Sequence, residues 1–124
     1  MSIALKLILL GLLFTFTIAS GIWLTNFGKP LNPIIFNIHK LMALASVIFT
    51  TVMVINFLKN TPINLAVLIL IIVSIMSMLA LFVSGALMSL GKTSGNIMLI
   101  IHNVSTVIAV ITIGGAVCLM VLKS

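Results

Sequence analysis

The chain contains no aspartate, no glutamate and no arginine. Without a carboxylate there is no acidic proton relay. That excludes a proton-coupled drug exporter of the small four-helix kind, which works through a membrane-embedded Glu, and it excludes a rotor-ring subunit. Charged residues make up 5 % of the chain, against about a quarter in ordinary soluble domains. A soluble globular domain, a disordered tail and a disulfide scaffold are thereby excluded. Cys118 is the single cysteine, so an internal disulfide, a cysteine-ligated iron–sulfur cluster and a CxxCH haem attachment are all ruled out. No nucleophile–base–acid constellation is present, which removes a membrane hydrolase.

What is there is apolar. Of 124 residues, 63 % are hydrophobic, and the mean hydropathy is +1.52. The six lysines give a net charge of +6. With no exposed basic domain to carry them, they do not point to nucleic acid. They belong in membrane headgroup zones or beside a bound anionic group.

A bilayer crossing takes about 20 apolar residues. Four such runs fill the sequence, at about 3–26, 33–58, 62–90 and 95–122. Asn32 before Pro33 and Thr61 before Pro62 each read as a helix N-cap followed by proline at the first turn. Gly91 is placed to close helix 3, and Ser94 to cap helix 4. Such short connections force antiparallel neighbours, so the expected fold is an all-α integral membrane protein, an up-down four-helix bundle in a single domain. Lys6, the apolar stretch after it and Ala19-Ser20-Gly21 give a weak signal-peptide match. The internal repeat speaks for helix 1 as part of the folded protein instead.

That repeat joins residues 20–48 to residues 84–111 with one gap. Ser20 aligns with Ser84, Gly21 with Gly85, Gly28 with Gly91, Lys29 with Lys92 and His39 with His102. Aliphatic matches mean little in this composition; these five do not come so easily, and they include both histidines. The fold expectation is therefore sharper: two parallel two-helix repeats, about 1–60 and 61–124, related by a pseudo-two-fold axis along the membrane normal.

The spacing places His39, His102, Gly21 and Gly85 at one depth on four different helices, each imidazole about 9–10 Å inside its helix start. Polar residues within a bilayer are expensive and are usually functional. Diagonal helices in a bundle lie about 13 Å apart. Two inward imidazoles at that separation suit a metal centre between helices 2 and 4: one haem b, its iron ligated from both faces. Gly21 and Gly85 would then clear space for the macrocycle edge. Lys29 and Lys92, at equivalent repeat positions, would face the two propionates, with Lys40 on the same rim. Two alternatives stand beside this one. Lysines at helix ends also snorkel to lipid phosphates, and a neutral imidazole also bonds a neighbouring helix. Copper is the rival metal, since Met42 and Met98 share helix faces with His39 and His102. The hydroxyl and amide residues Thr15, Thr17, Thr50, Thr51, Asn56, Ser74, Ser77 and Asn103 are too dispersed for a pore lining. They are expected to bond backbone carbonyls or adjacent helices. Trp23 reads as an interfacial anchor.

Helix 2 with IHKLMAL, helix 4 with IIHNV, and a Ser-Gly pair near the end of each preceding helix resemble small four-helix membrane cytochromes of b type. These are the bacterial cytochrome b561 proteins, including the superoxide oxidase type, and the cytochrome b subunits of membrane dehydrogenases. The resemblance covers the whole chain in architecture; in motif it rests on the Ser-Gly and His positions. That family typically holds two haems on four histidines, whereas the two histidines here allow one bis-His haem. The resemblance implies an oxidoreductase role, with electrons exchanged between a haem near one membrane face and a quinone or small redox partner. A basic rim of Lys29, Lys40 and Lys92 would attract an anionic reactant such as superoxide. Other functions compatible with the residues are haem handling or sensing without redox turnover, a copper site, and an accessory subunit. The lipid bilayer is the expected surrounding, and a homo-oligomer fits the chain equally well. The expected setting is a prokaryotic cytoplasmic membrane, with a cytoplasmic N-terminus.

Overall fold

The computed structural model of the chain describes residues 1–28, 30–91 and 96–123. Those residues form four α-helices: α1 Ile3–Asn26, α2 Pro33–Asn60, α3 Leu65–Ser89 and α4 Ile97–Lys123. No strand occurs among the described residues. Each helix is long and apolar enough to cross a membrane, and the chain is an integral membrane protein. Even α1, with 24 residues, is about 36 Å long at 1.5 Å per residue, against about 30 Å of hydrocarbon. A helix is the structure such sequences must take there, because it satisfies every backbone N–H and C=O within the segment. Large apolar side chains, among them Phe16, Ile48, Ile75 and Ile111, remain exposed along the helices. Those surfaces face lipid.

The helix ends follow local chemistry. Ser2 caps α1 by accepting from Leu5 N at 3.3 Å. At its other end the Phe27 N–H reaches the Trp23 carbonyl at 3.1 Å, and Gly28 turns left-handed at φ +67°. The Asn32 side-chain oxygen accepts from Ile34 N and Ile35 N at 3.0 and 3.3 Å, as the Asn-Pro pair predicts. The expectation for Thr61 is corrected. Helix α3 begins at Leu65, and its cap is Asn64, whose side chain accepts from Val67 N at 2.9 Å. Asparagine is a stronger N-cap than threonine, and Asn64 would be poorly placed inside a first turn. Helix α3 ends at Ser89, and Gly91 follows in the left-handed region at φ +64°, as expected. The aligned Gly28 and Gly91 thus close the first helix of each repeat in the same backbone conformation, one that costs other residues about 1–2 kcal/mol. Ser94, the expected cap of helix 4, lies outside the described residues.

Backbone packing divides the chain into two compact units, Met1–Ile55 and Asn56–Ser124. In the first, α1 and α2 are bonded through Thr17 and Ser46, whose hydroxyl oxygens lie 3.4 Å apart. In the second, α3 and α4 pack against each other. Ser74 Oγ and Thr112 Oγ1 lie 2.9 Å apart. Ser74, Ser77, Ser84, Ser105, Ala109, Thr112 and Ala116 are all buried. Small side chains let two membrane helices approach closely where no hydrophobic effect drives them together. The hydroxyls expected to be absorbed by backbone are absorbed. Thr15, Thr17, Thr50, Thr51, Ser74 and Ser77 each donate to the carbonyl four residues earlier. Among the described residues, no buried side-chain nitrogen or oxygen lacks a partner.

Candidate functional site

Each unit contains one histidine, and each histidine is held by the preceding helix. In the first unit, Ser20 and Gly21 lie on α1, and His39 lies on the second turn of α2. The His39 Nδ1 stands 2.9 Å from the Thr17 carbonyl oxygen and 3.1 Å from Ser20 Oγ. A carbonyl oxygen can only accept, so Nδ1 carries the proton. Ser20 Oγ gives its own proton to the same Thr17 carbonyl at 2.9 Å, which leaves it an acceptor toward the ring.

The second unit repeats the arrangement. His102 Nδ1 stands 2.9 Å from Ser84 Oγ. Ser84 Oγ donates to the Leu81 carbonyl, three residues back, at 3.2 Å. The Ser84 hydroxyl thus lies between the His102 ring and the backbone of its own helix. In both rings Nδ1 is the nitrogen turned to the preceding helix.

The glycines explain how the rings come so close. A Cβ built on Gly21 would lie 3.0 Å from His39 Cε1. One built on Gly85 would lie 3.4 Å from His102 Cε1. Gly21 and Gly85 thus clear space for the imidazole itself, so that Nδ1 can reach the serine one residue before. The Ser-Gly pair and the histidine thus form one clasp, a ring laid on a glycine and bonded by its neighbour. The sequence repeat marks these positions, but composition and spacing carry no sign that they touch.

The other expected site residues are placed less centrally. Lys40 Nζ lies 4.1 Å from the centroid of the Phe36 ring, one turn back on the same helix, so its cation engages an aromatic face rather than the clasp. Lys29 and Lys92 lie outside the described residues. Trp23 stacks on Phe27 with centroids 5.4 Å apart at 29°, and both are exposed, as suits an aromatic anchor in the headgroup region. Met42 is half-buried one turn from His39. Among the described residues, no group of three or more His, Cys, Asp and Glu side chains gathers as a metal cage.

The donor chemistry nonetheless suits a haem. A metal-ligating histidine commonly donates its other ring N–H to a carbonyl, hydroxyl or carboxylate, which fixes tautomer and ring orientation. The His39 ring has that form toward the Thr17 carbonyl, and His102 turns the same nitrogen to the Ser84 hydroxyl. No protein-family model, curated protein or solved structure matches this chain.

Proposed function

We propose that the protein is a membrane cytochrome of b type. In this reading it holds one haem b with His39 and His102 as axial ligands, and it exchanges electrons with a quinone or a small redox partner such as superoxide. One observation carries the reading. The only two histidines of the chain sit in two equivalent clasps, each with Nδ1 turned to a serine of the preceding helix. When bound, haem iron supplies a one-electron couple. The chain's own residues do the rest. Ser20 and the Thr17 carbonyl hold the His39 ring, Ser84 holds the His102 ring, and Gly21 and Gly85 leave room for the rings.

The test is an absorption spectrum of purified protein, as isolated, after added hemin and after dithionite. A Soret band with sharp α and β bands on reduction is the expected result, at one haem per chain. His39→Ala and His102→Ala should each abolish or broaden those bands. A protein that stays colourless after hemin overturns the cytochrome, and metal analysis for copper follows.

The same hydrogen bonds favour a second reading, in which the histidines are struts between neighbouring helices. In that case His39→Ala and His102→Ala lower the unfolding temperature of a colourless protein and change nothing else. Bonds of this kind between membrane helices are worth about 0.6 kcal/mol on average.

A further inference from the structure

We infer that the end of the first unit where α1 leads into α2 sits in the headgroup layer, with His39 at the hydrocarbon boundary, and that Lys40 and the Phe36 ring there hold the phosphate of an anionic phospholipid. The inference stands on α1 and α2 alone and does not rest on the cytochrome reading.

Length comes first. Helix α2 has 28 residues, so it is about 42 Å long at 1.5 Å per residue, against about 30 Å of hydrocarbon. An upright α2 thus carries about 12 Å beyond the hydrocarbon. Its two lysines mark where. Lys40 and Lys59 stand nineteen residues apart, about 28 Å along the axis, which is close to the hydrocarbon thickness. On α1, Lys6 and Trp23 stand seventeen residues apart, about 26 Å. Polar chemistry follows the same division. Between Lys40 and Ile55 the polar residues of α2 are Ser46, Thr50 and Thr51, and each gives its hydroxyl proton to the carbonyl four residues earlier. On the other side of Lys40 stand Asn37 and Asn32, both exposed.

The clasp ties the two helices to one level. His39 Nδ1 meets Ser20 and the Thr17 carbonyl, so the second turn of α2 is level with Ser20 of α1. Trp23 lies three residues beyond Ser20, and Phe36 three residues before His39. Both rings therefore stand about 4–5 Å beyond the clasp, toward the connection. Trp23 and its stacking partner Phe27 are exposed. Aromatic side chains gather at headgroup level, which puts His39 one turn below, at the edge of the hydrocarbon.

Lys40 supplies the charge. Helix side chains slope toward the N-terminus, and the start of α2 is the outer end here. The ammonium follows that slope, with Nζ 4.1 Å from the centroid of the Phe36 ring one turn back. The ring takes one face of the cation; the remaining N–H donors call for oxygen acceptors. The chain contains no Asp or Glu, so no carboxylate side chain of its own can neutralise this lysine. An anionic lipid headgroup at that level brings both the charge and the oxygens.

The experiment uses the whole chain in phosphatidylcholine vesicles with a minor share of phosphatidylglycerol, at low salt. Trp23 is the single tryptophan and reports depth unaided. Bromines near the glycerol end of the acyl chains should quench it more strongly than bromines near the methyl end; the reverse order overturns the placement. For the lipid, Trp23→Phe combined with Phe36→Trp puts the indole under the Lys40 ammonium. In that background, brominated phosphatidylglycerol should associate about fivefold more strongly than brominated phosphatidylcholine, the worth of one lysine near an anionic surface. Lys40→Gln should bring the two lipids level, and Lys40→Arg should keep the preference. No preference with Lys40 in place, or one that survives Lys40→Gln, overturns the lipid site. A preference abolished by inorganic phosphate, but not by chloride at equal ionic strength, overturns it in favour of a soluble anion.

Discussion

In Met1–Ile55 the side-chain bonds between α1 and α2 fall within two turns of His39: at Ser20, at Thr17 and at Ser46. In Asn56–Ser124 the joining of α3 to α4 runs on well past His102. It passes through the Ser74–Thr112 bond to Gly115, where an added Cβ would touch Leu70 at 3.5 Å. Burial follows the same division. Helix α1 buries Leu10 alone, whereas α4 buries seven residues from Ser105 to Met120. The clasps themselves differ too. Ser84 is 2 % exposed and Ser20 half-buried, yet the ring presses harder on Gly21 than on Gly85. The same three-residue device is thus built in two different helix pairs. What it needs is the Ser-Gly pair and the facing histidine, not a long close-packed seam.

That comparison can be broken by placing a methyl under each ring. Gly21→Ala should be the more damaging, at about 1–3 kcal/mol, the usual range for forcing an extra carbon into a filled space. At 3.0 Å the His39 ring must move, and with it the bonds from Nδ1. Gly85→Ala should cost less than about 1 kcal/mol, since a 3.4 Å contact needs only a small adjustment. Thermal unfolding of both variants in one detergent compares them directly, and equal losses would show that the two clasps are equally tight.

A smaller effect tests the punctuation between the units. Asn64→Ala should destabilise by about 1 kcal/mol, the typical value of a lost N-cap. Thr61→Ala should stay within about 0.5 kcal/mol, as for most substitutions away from caps and core. Helical circular dichroism and melting of the two variants decide which residue starts α3. The smallest effect concerns the seam of the second unit. Ser74→Ala should cost about 0.6 kcal/mol. A double-mutant cycle with Thr112→Val should return most of that as coupling; a coupling near zero would mean that the small side chains, not the hydroxyl bond, hold α3 to α4.

Much of the fold was legible beforehand because the bilayer leaves few choices. The bounds of α1, the Asn32 cap and the closing role of Gly91 all follow from apolar length and from single-residue conformational preferences. The start of α3 was misread at Thr61-Pro62 because two capping signals stand three residues apart. The bond from Asn64 to Val67 N decides between them. At the site, the repeat singled out Ser20, Gly21, His39 and their partners. Their contact was not legible, nor was the Phe36 ring under Lys40, which a count of lysines treats as one more basic charge.

By itself, the sequence determined that this is a membrane protein of four helices, with no carboxylate chemistry and with two histidines at matched positions. Those are consequences of composition and spacing, which act through transfer free energy and helix geometry. Only the tertiary structure decided that each histidine rests on the glycine of the helix before it and turns Nδ1 to oxygens there. Which ring nitrogen meets the neighbouring helix depends on distances of about 3 Å between atoms on different helices, and no pattern along a single chain encodes those.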